Sequence, residues 1–132
     1  LVTFDNGAIG NVTAETATSI TVTFTTRPVT AGNLNALVTS NTVAASSAVQ
    51  VATVVPVVSL VTDPLPASST TVTINGFGFD PIAANNLVTF DNGAVGTVSS
   101  ASPTQLTVTL SARPTTSGLL SATVVTNTRT SG

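Results

Sequence analysis

The eight residues Leu-Val-Thr-Phe-Asp-Asn-Gly-Ala occupy positions 1–8 and return unchanged at positions 87–94. Self-similarity at a fixed period marks a repeated structural unit, and it constrains the fold of this chain more than any other property it has. Sliding the chain by 86 positions lays 1–41 over 87–127 without a gap, with about half of the aligned residues identical. Where letters change they keep their character. Ile20, Val22 and Phe24 align with Leu106, Val108 and Leu110, and Leu34, Ala36 and Val38 align with Leu120, Ala122 and Val124.

Apolar positions spaced by two, with Thr or Ser between them, are the pattern of half-buried strands. The same alternation runs through Val49 and Val51, Val72 and Ile74, and Val88 and Phe90, with Gly, Pro, Asn, Asp or Ser at the borders and no sustained helical period. The chain is therefore all-β, with one period forming one β-sandwich of roughly seven strands. Asp-Asn-Gly at 5–7 and 91–93 lies between apolar runs, and Asn-Gly suits a tight hairpin whose two central residues need positive φ. Val54-Val55-Pro56-Val57 marks the expected boundary, because Pro56 interrupts a strand there. Residues 1–55 then form a partial sandwich lacking its opening strands, and 56–132 a second sandwich lacking its last one. The phase admits either an excerpt of a longer array, which it favours, or a subunit that accepts a strand from a neighbour. The junction is short, β-branched and free of Gly/Ser linker, so successive modules are expected to be coupled end to end.

Composition narrows the chemistry. Thr and Ser make up roughly a third of the 132 residues, and Lys, His, Cys, Met, Trp and Tyr are all absent. Without His or Cys the chain lacks the usual general base near neutral pH, a thiol nucleophile and nitrogen or sulfur metal ligands, so it reads as a non-enzyme with no cofactor. A net charge of −2 with three Arg does not neutralise a run of phosphates, which argues against nucleic acid. The most apolar stretch, 49–61, is too short for a bilayer span and is broken by Pro56.

Residues 56–132 resemble an IPT/TIG domain, the immunoglobulin-like fold shared by plexins, some transcription factors and many bacterial surface proteins. The resemblance rests on Pro-Val-Val-Ser-Leu-Val-Thr-Asp-Pro at 56–64, Thr-Thr-Val-Thr-Ile-Asn-Gly-Phe-Gly-Phe at 70–79, Asn-Leu-Val-Thr-Phe at 86–90 and Ala-Ser-Pro-Thr-Gln-Leu-Thr-Val-Thr-Leu at 101–110. Through the repeat it extends to 1–55. It departs at 112–120, Ala-Arg-Pro-Thr-Thr-Ser-Gly-Leu-Leu, where family members commonly carry a Pro-Gly-rich turn. The resemblance implies tandem immunoglobulin-like sandwiches with an 86-residue repeat, no shared catalytic residues, and spacer, adhesive or fibre-forming modules at the cell surface or outside the cell.

Few side chains stand out as sites. Arg27 and Arg113 are the cations preserved in both copies, and Asp5 and Asp91 the matching anions. Each Arg is expected to pair with the Asp of its own copy, a surface pair contributing about 0–1 kcal/mol, or to clamp a neighbouring subunit. Together with Val54, Val55, Pro56 and Val57 they form the candidate inter-module contacts. Asp63, Asp80 and Asp91 are not spaced as a calcium loop. Gly76-Phe77-Gly78-Phe79 reads as a strand-end bulge with both rings partly in the core, against the rival of a sugar-stacking surface. Asn11-Val12-Thr13 is a glycosylation sequon whose second copy has Thr97 instead of Asn. The functional expectation is a structural repeat of an extracellular fibre, stalk or surface layer, partnered by copies of itself. The rival is an accessory carbohydrate-binding module or an adhesin for a host protein.

Overall fold

The computed structural model describes residues 1–132, contains no α-helix, and divides into two compact units. The first comprises Leu1–Val29 and Asn33–Val54; the second comprises Thr30–Gly32 and Val55–Gly132.

In the first unit β1 (Val2–Phe4) pairs antiparallel with β4 (Gly32–Ser40), which belongs to this unit from Asn33 on and also carries β5 (Val43–Ala44) and β6 (Val49–Val54). A separate two-stranded sheet joins β2 (Ile9–Glu15) to β3 (Ile20–Thr26). Leu34, Ala36 and Ala8 are the buried apolar residues of this unit. The Phe4 ring meets Phe24 at 5.3 Å between centroids, tilted by 58°.

The second unit has two sheets face to face. One has the order β10–β11–β8–β7, built from β7 (Val57–Val58), β8 (Thr71–Phe77), β10 (Val95–Ser102) and β11 (Gln105–Ala112). The other has the order β13–β12–β9, built from β9 (Asn86–Phe90), β12 (Ala122–Thr126) and β13 (Arg129–Thr130). Ile74, Val98, Leu106 and Val108 from the first sheet pack with Val88 and Val124 from the second, and with Phe79, to make the core. Alternation puts these side chains inward and the intervening Thr and Ser outward, where β-branched Thr suits a pleated surface.

The pairings themselves repeat. Phe4 opposes Ala36 as Phe90 opposes Ala122, and Val2 opposes Val38 as Val88 opposes Val124. The β2–β3 and β10–β11 pairs share even their irregularity, with register shifts between Val12 and Ala14 and between Val98 and Ser100.

Asp-Asn-Gly does have the backbone that its sequence calls for, with φ of 53° and 69° at Asn6 and Gly7, and 51° and 70° at Asn92 and Gly93. It does not make a hairpin, however. β1 pairs with β4 and not β2, and β9 pairs with β12 and not β10, so the turn carries the chain from one sheet to another. The two-residue hairpins are instead at Asn41-Thr42 and Asn127-Thr128, between Ser40 and Val43 and between Thr126 and Arg129. There both residues have positive φ, reaching 66° at Thr42 and 67° at Thr128. A β-branched residue is costly in that region. Thr128→Gly is expected to stabilise the second unit by about 0.5–1 kcal/mol, read as a raised thermal midpoint by circular dichroism. A lowered midpoint would mean that the Thr side chain contributes more than its strain costs.

Candidate functional site

Each residue of the repeated Asp-Asn-Gly turn has a structural task. The Asp5 carboxylate accepts from the Asn35 backbone N–H at 2.8 Å and from its Nδ2 at 2.6 Å, and Asp91 accepts from the Ser121 N–H at 2.8 Å. The Asn6 carbonyl accepts from Val29 N–H and the Asn92 carbonyl from Thr115 N–H, both at 3.0 Å. Asn92 also donates through Nδ2 to the Thr116 carbonyl at 2.6 Å and accepts at Oδ1 from the Thr116 hydroxyl at 2.8 Å. A Cβ on Gly7 would come within 2.7 Å of a Val29 methyl, and one on Gly93 within 2.9 Å of Thr115 Cγ2. The motif is thus a clasp that fixes two loops against the sheet-to-sheet turn. Arg27 and Arg113, which follow β3 and β11, are exposed, as are Asp5 and Asp91.

At the expected boundary, Val54 closes β6 and is half-buried, Val55 and Val57 are exposed, and Pro56 is fully buried in the second unit. The two rings of the Gly-Phe-Gly-Phe stretch, both expected partly in the core, differ: Phe79 is wholly buried, while Phe77 is 46% exposed. Residues 77 and 79 would share a face in a regular strand. Gly78 sits at φ 80°, which breaks the alternation and turns Phe79 inward. Gly76 is fixed by space, because a Cβ there would run into the Val57 carbonyl oxygen and the Phe79 ring.

A polar cluster that sequence reasoning missed lies beside this turn. Asn86, almost fully buried at the start of β9, accepts at Oδ1 from the Thr126 hydroxyl at 2.8 Å and from Asp80 N–H at 3.1 Å. Its Nδ2 donates to the carbonyls of Asp80 at 2.8 Å and Ile82 at 3.1 Å. All four hydrogen-bonding positions of the amide are filled. Asp80 in turn accepts from Ile82 N–H at 2.8 Å and from Asn127 Nδ2 at 3.0 Å. The only signal in the sequence was an Asn where the strand pattern wants an apolar inward residue.

These hydrogen bonds hold two carboxyls below their ordinary value of 3.8: Asp5 through the Asn35 backbone and then side-chain amide, and Asp80 through Ile82 N–H first, against desolvation, with Asn127 adding. A carboxyl with a depressed folded value stabilises the fold above the unfolded value, and that contribution is lost as pH falls through the folded one. The thermal midpoint is therefore expected to stay level from pH 7 to about 5 and to fall below about pH 4. Asp80→Asn keeps an oxygen for Ile82 N–H but cannot titrate. It should flatten part of that acid limb, and an unchanged limb would remove Asp80 from the account.

No group of three His, Cys, Asp or Glu comes together to hold a metal ion. No helix is long and apolar enough to cross a membrane, which says nothing of a β-barrel. Asn11 of the sequon is exposed on β2. What the molecule presents is surface. On the β2–β3 sheet Ile9, Val12, Ile20 and Phe24 are all exposed. Comparison with known proteins gives one match, the family model for the IPT/TIG domain, over residues 56–132. Curated proteins and solved structures gave no match.

Proposed function

The chain belongs to the IPT/TIG family of immunoglobulin-like domains, and from that premise we propose that it is a structural repeat of an extracellular fibre, stalk or surface-layer-like protein of bacterial type, with its modules coupled end to end. Domains of this family are generally non-catalytic and are common in surface and adhesion proteins. The observation that carries the reading is the recurrence of one set of strand registers at the period of the sequence repeat. A unit that buries its apolar residues between two sheets and turns Thr and Ser outward, as the second unit does, can be strung with others as a spacer of fixed length. The preserved Asp-Asn-Gly residues serve the fold as a clasp.

The partner in this reading is another copy of the module, with Arg27, Arg113 and the Val54–Val57 segment as candidate contacts. Electron microscopy and sedimentation of the chain over a range of concentrations test it. A regular axial spacing of one sandwich, or reversible growth with concentration, supports it. A compact monomer at all concentrations that co-sediments with insoluble polysaccharide would replace it with the carbohydrate-binding reading.

A further inference from the structure

The division into two units does not follow the repeat. Thr30–Gly32 come from the first copy of the repeat, yet they belong to the second unit. The chain passes from one unit to the other at 29–30, returns at 32–33, and crosses finally at 54–55. Within the second unit the three residues are held by their main chain. Thr30 forms a parallel bridge with Gly78, and Ala31 N–H donates to the Gly78 carbonyl at 2.8 Å. The Ala31 carbonyl accepts from Asn127 Nδ2 at 3.1 Å, and the same amide nitrogen reaches the Asp80 carboxylate at 3.0 Å. Ala31 is 3% exposed, so both polar backbone groups of a buried residue are satisfied, as burial requires.

Both sides of this contact are shaped by the repeat itself. The Asn6 carbonyl fixes Val29 N–H, one residue ahead of Thr30, as the Asn92 carbonyl fixes Thr115 N–H, one residue ahead of Thr116. Gly32 and Gly118 then have φ of 142° and 139°, a region that only glycine enters without strain. The residue before each is small, Ala31 in one copy and Ser117 in the other. On the receiving side, Asn127-Thr128 has the positive φ of Asn41-Thr42, which places an Asn at the same hairpin corner in each copy. Gly78 admits the loop because it has no side chain: a Cβ there would lie 3.3 Å from Pro56 Cα and 3.8 Å from Ala31 N.

We infer that the loop Thr30-Ala31-Gly32 is one half of a latch between successive copies of the repeat, and that Gly78 together with Asn127 is the receptor for it. The partner is a second copy of the same module, recognised through backbone hydrogen bonds and the smallness of residue 31. Domains joined by a linker alone are expected to move relative to one another. A second attachment removes that freedom, so the latch supplies the stiffness that the junction at 54–57 is expected to have. The inference rests on the array reading for the identity of the two partners as consecutive modules.

The test uses the full chain and two single variants that act on opposite sides of the latch. Ala31→Asp places a carboxylate where a small apolar side chain is buried, and Asn127→Gly removes the amide while keeping a residue that accepts positive φ. In the parent the Ala31 amide is expected to be protected from exchange, and amide nitrogen relaxation should give one common tumbling time for residues of both units. Each variant should speed exchange at residue 31 by about fivefold or more and split the tumbling times in two, while Leu106 and Val108 keep their protection and so report an intact second unit. A parent with an unprotected Ala31 amide or two tumbling times would overturn the inference, as would variants that change neither. A chain that sediments as a monomer at every concentration yet shows the protected amide and its loss in the variants keeps the latch and loses the array. One that assembles with the parent's spacing when either variant is present loses only the latch.

Discussion

Phe79→Ala is expected to lower the stability of the second unit by about 3–5 kcal/mol, the range for deleting a fully buried aromatic side chain. The ring has no exposed surface and lies in the core with residues of both sheets. It also fills the space beside Gly76, so its removal opens a void at the point where β8 approaches β7. Domains of this size have about 5–15 kcal/mol in total, and the loss is therefore a large share. The chain has no Trp or Tyr, so denaturation is best followed by far-ultraviolet circular dichroism or calorimetry. Phe77→Ala is the matched control: its ring is half out in solvent, and its loss should cost no more than about 1 kcal/mol. Equal effects from the two would contradict the inward turn at Gly78.

The second large effect is expected at Asn86. Replacing it by Ala strands the Thr126 hydroxyl, which is fully buried, together with Asp80 N–H and two carbonyls, and should cost about 3 kcal/mol. Asn86→Asp separates hydrogen bonding from shape. At pH 7 a carboxylate there accepts from Thr126 and Asp80 N–H but cannot donate to the Asp80 and Ile82 carbonyls, so it faces them with negative charge. Protonation restores one donor. The Asp variant should therefore regain part of its stability on mild acidification above pH 5, where the parent chain is level. A variant as stable as the parent at pH 7 would mean that the amide's donor bonds contribute little.

Strand content was readable from the sequence because alternation is a local property: Val72 and Ile74, or Leu106 and Val108, announce their face without reference to a partner. Pairing is not local. Nothing near Asp5-Asn6-Gly7 says that β1 will bond to β4, more than thirty residues on, rather than fold back on β2. The Asn-Gly pair determined the dihedral angles, but the hydrogen bonds of Asp5 to Asn35 and of Asn6 to Val29 determined where the chain goes next. Phe77 and Phe79 were indistinguishable as letters, since the glycine between them is free to continue the strand or to break it. Asn127-Thr128 carries no hairpin signal in the sequence, since Thr resists positive φ, and the fold imposes it there regardless. The Asn86 cluster depends on Asp80, Ile82 and Thr126 meeting in space.

In a chain under tension, the attachment of β7 takes on mechanical meaning. Load entering the second unit at Val55 first reaches Pro56, seated without exposed surface, and then a strand held to β8 by the pairs Val57 with Phe77 and Val58 with Gly76, followed by Ser59 N–H on the Asn75 carbonyl. So short a ladder, ahead of the irregular segment from Leu60 to Thr70, is the place to yield. Peeling residues 57–70 would pay out roughly 45–50 Å of chain at about 3.3–3.6 Å per residue. The sheets formed by β8 with β10 and β11, and by β9 with β12 and β13, would remain intact. A unit loaded in this way would lengthen before its two sheets part.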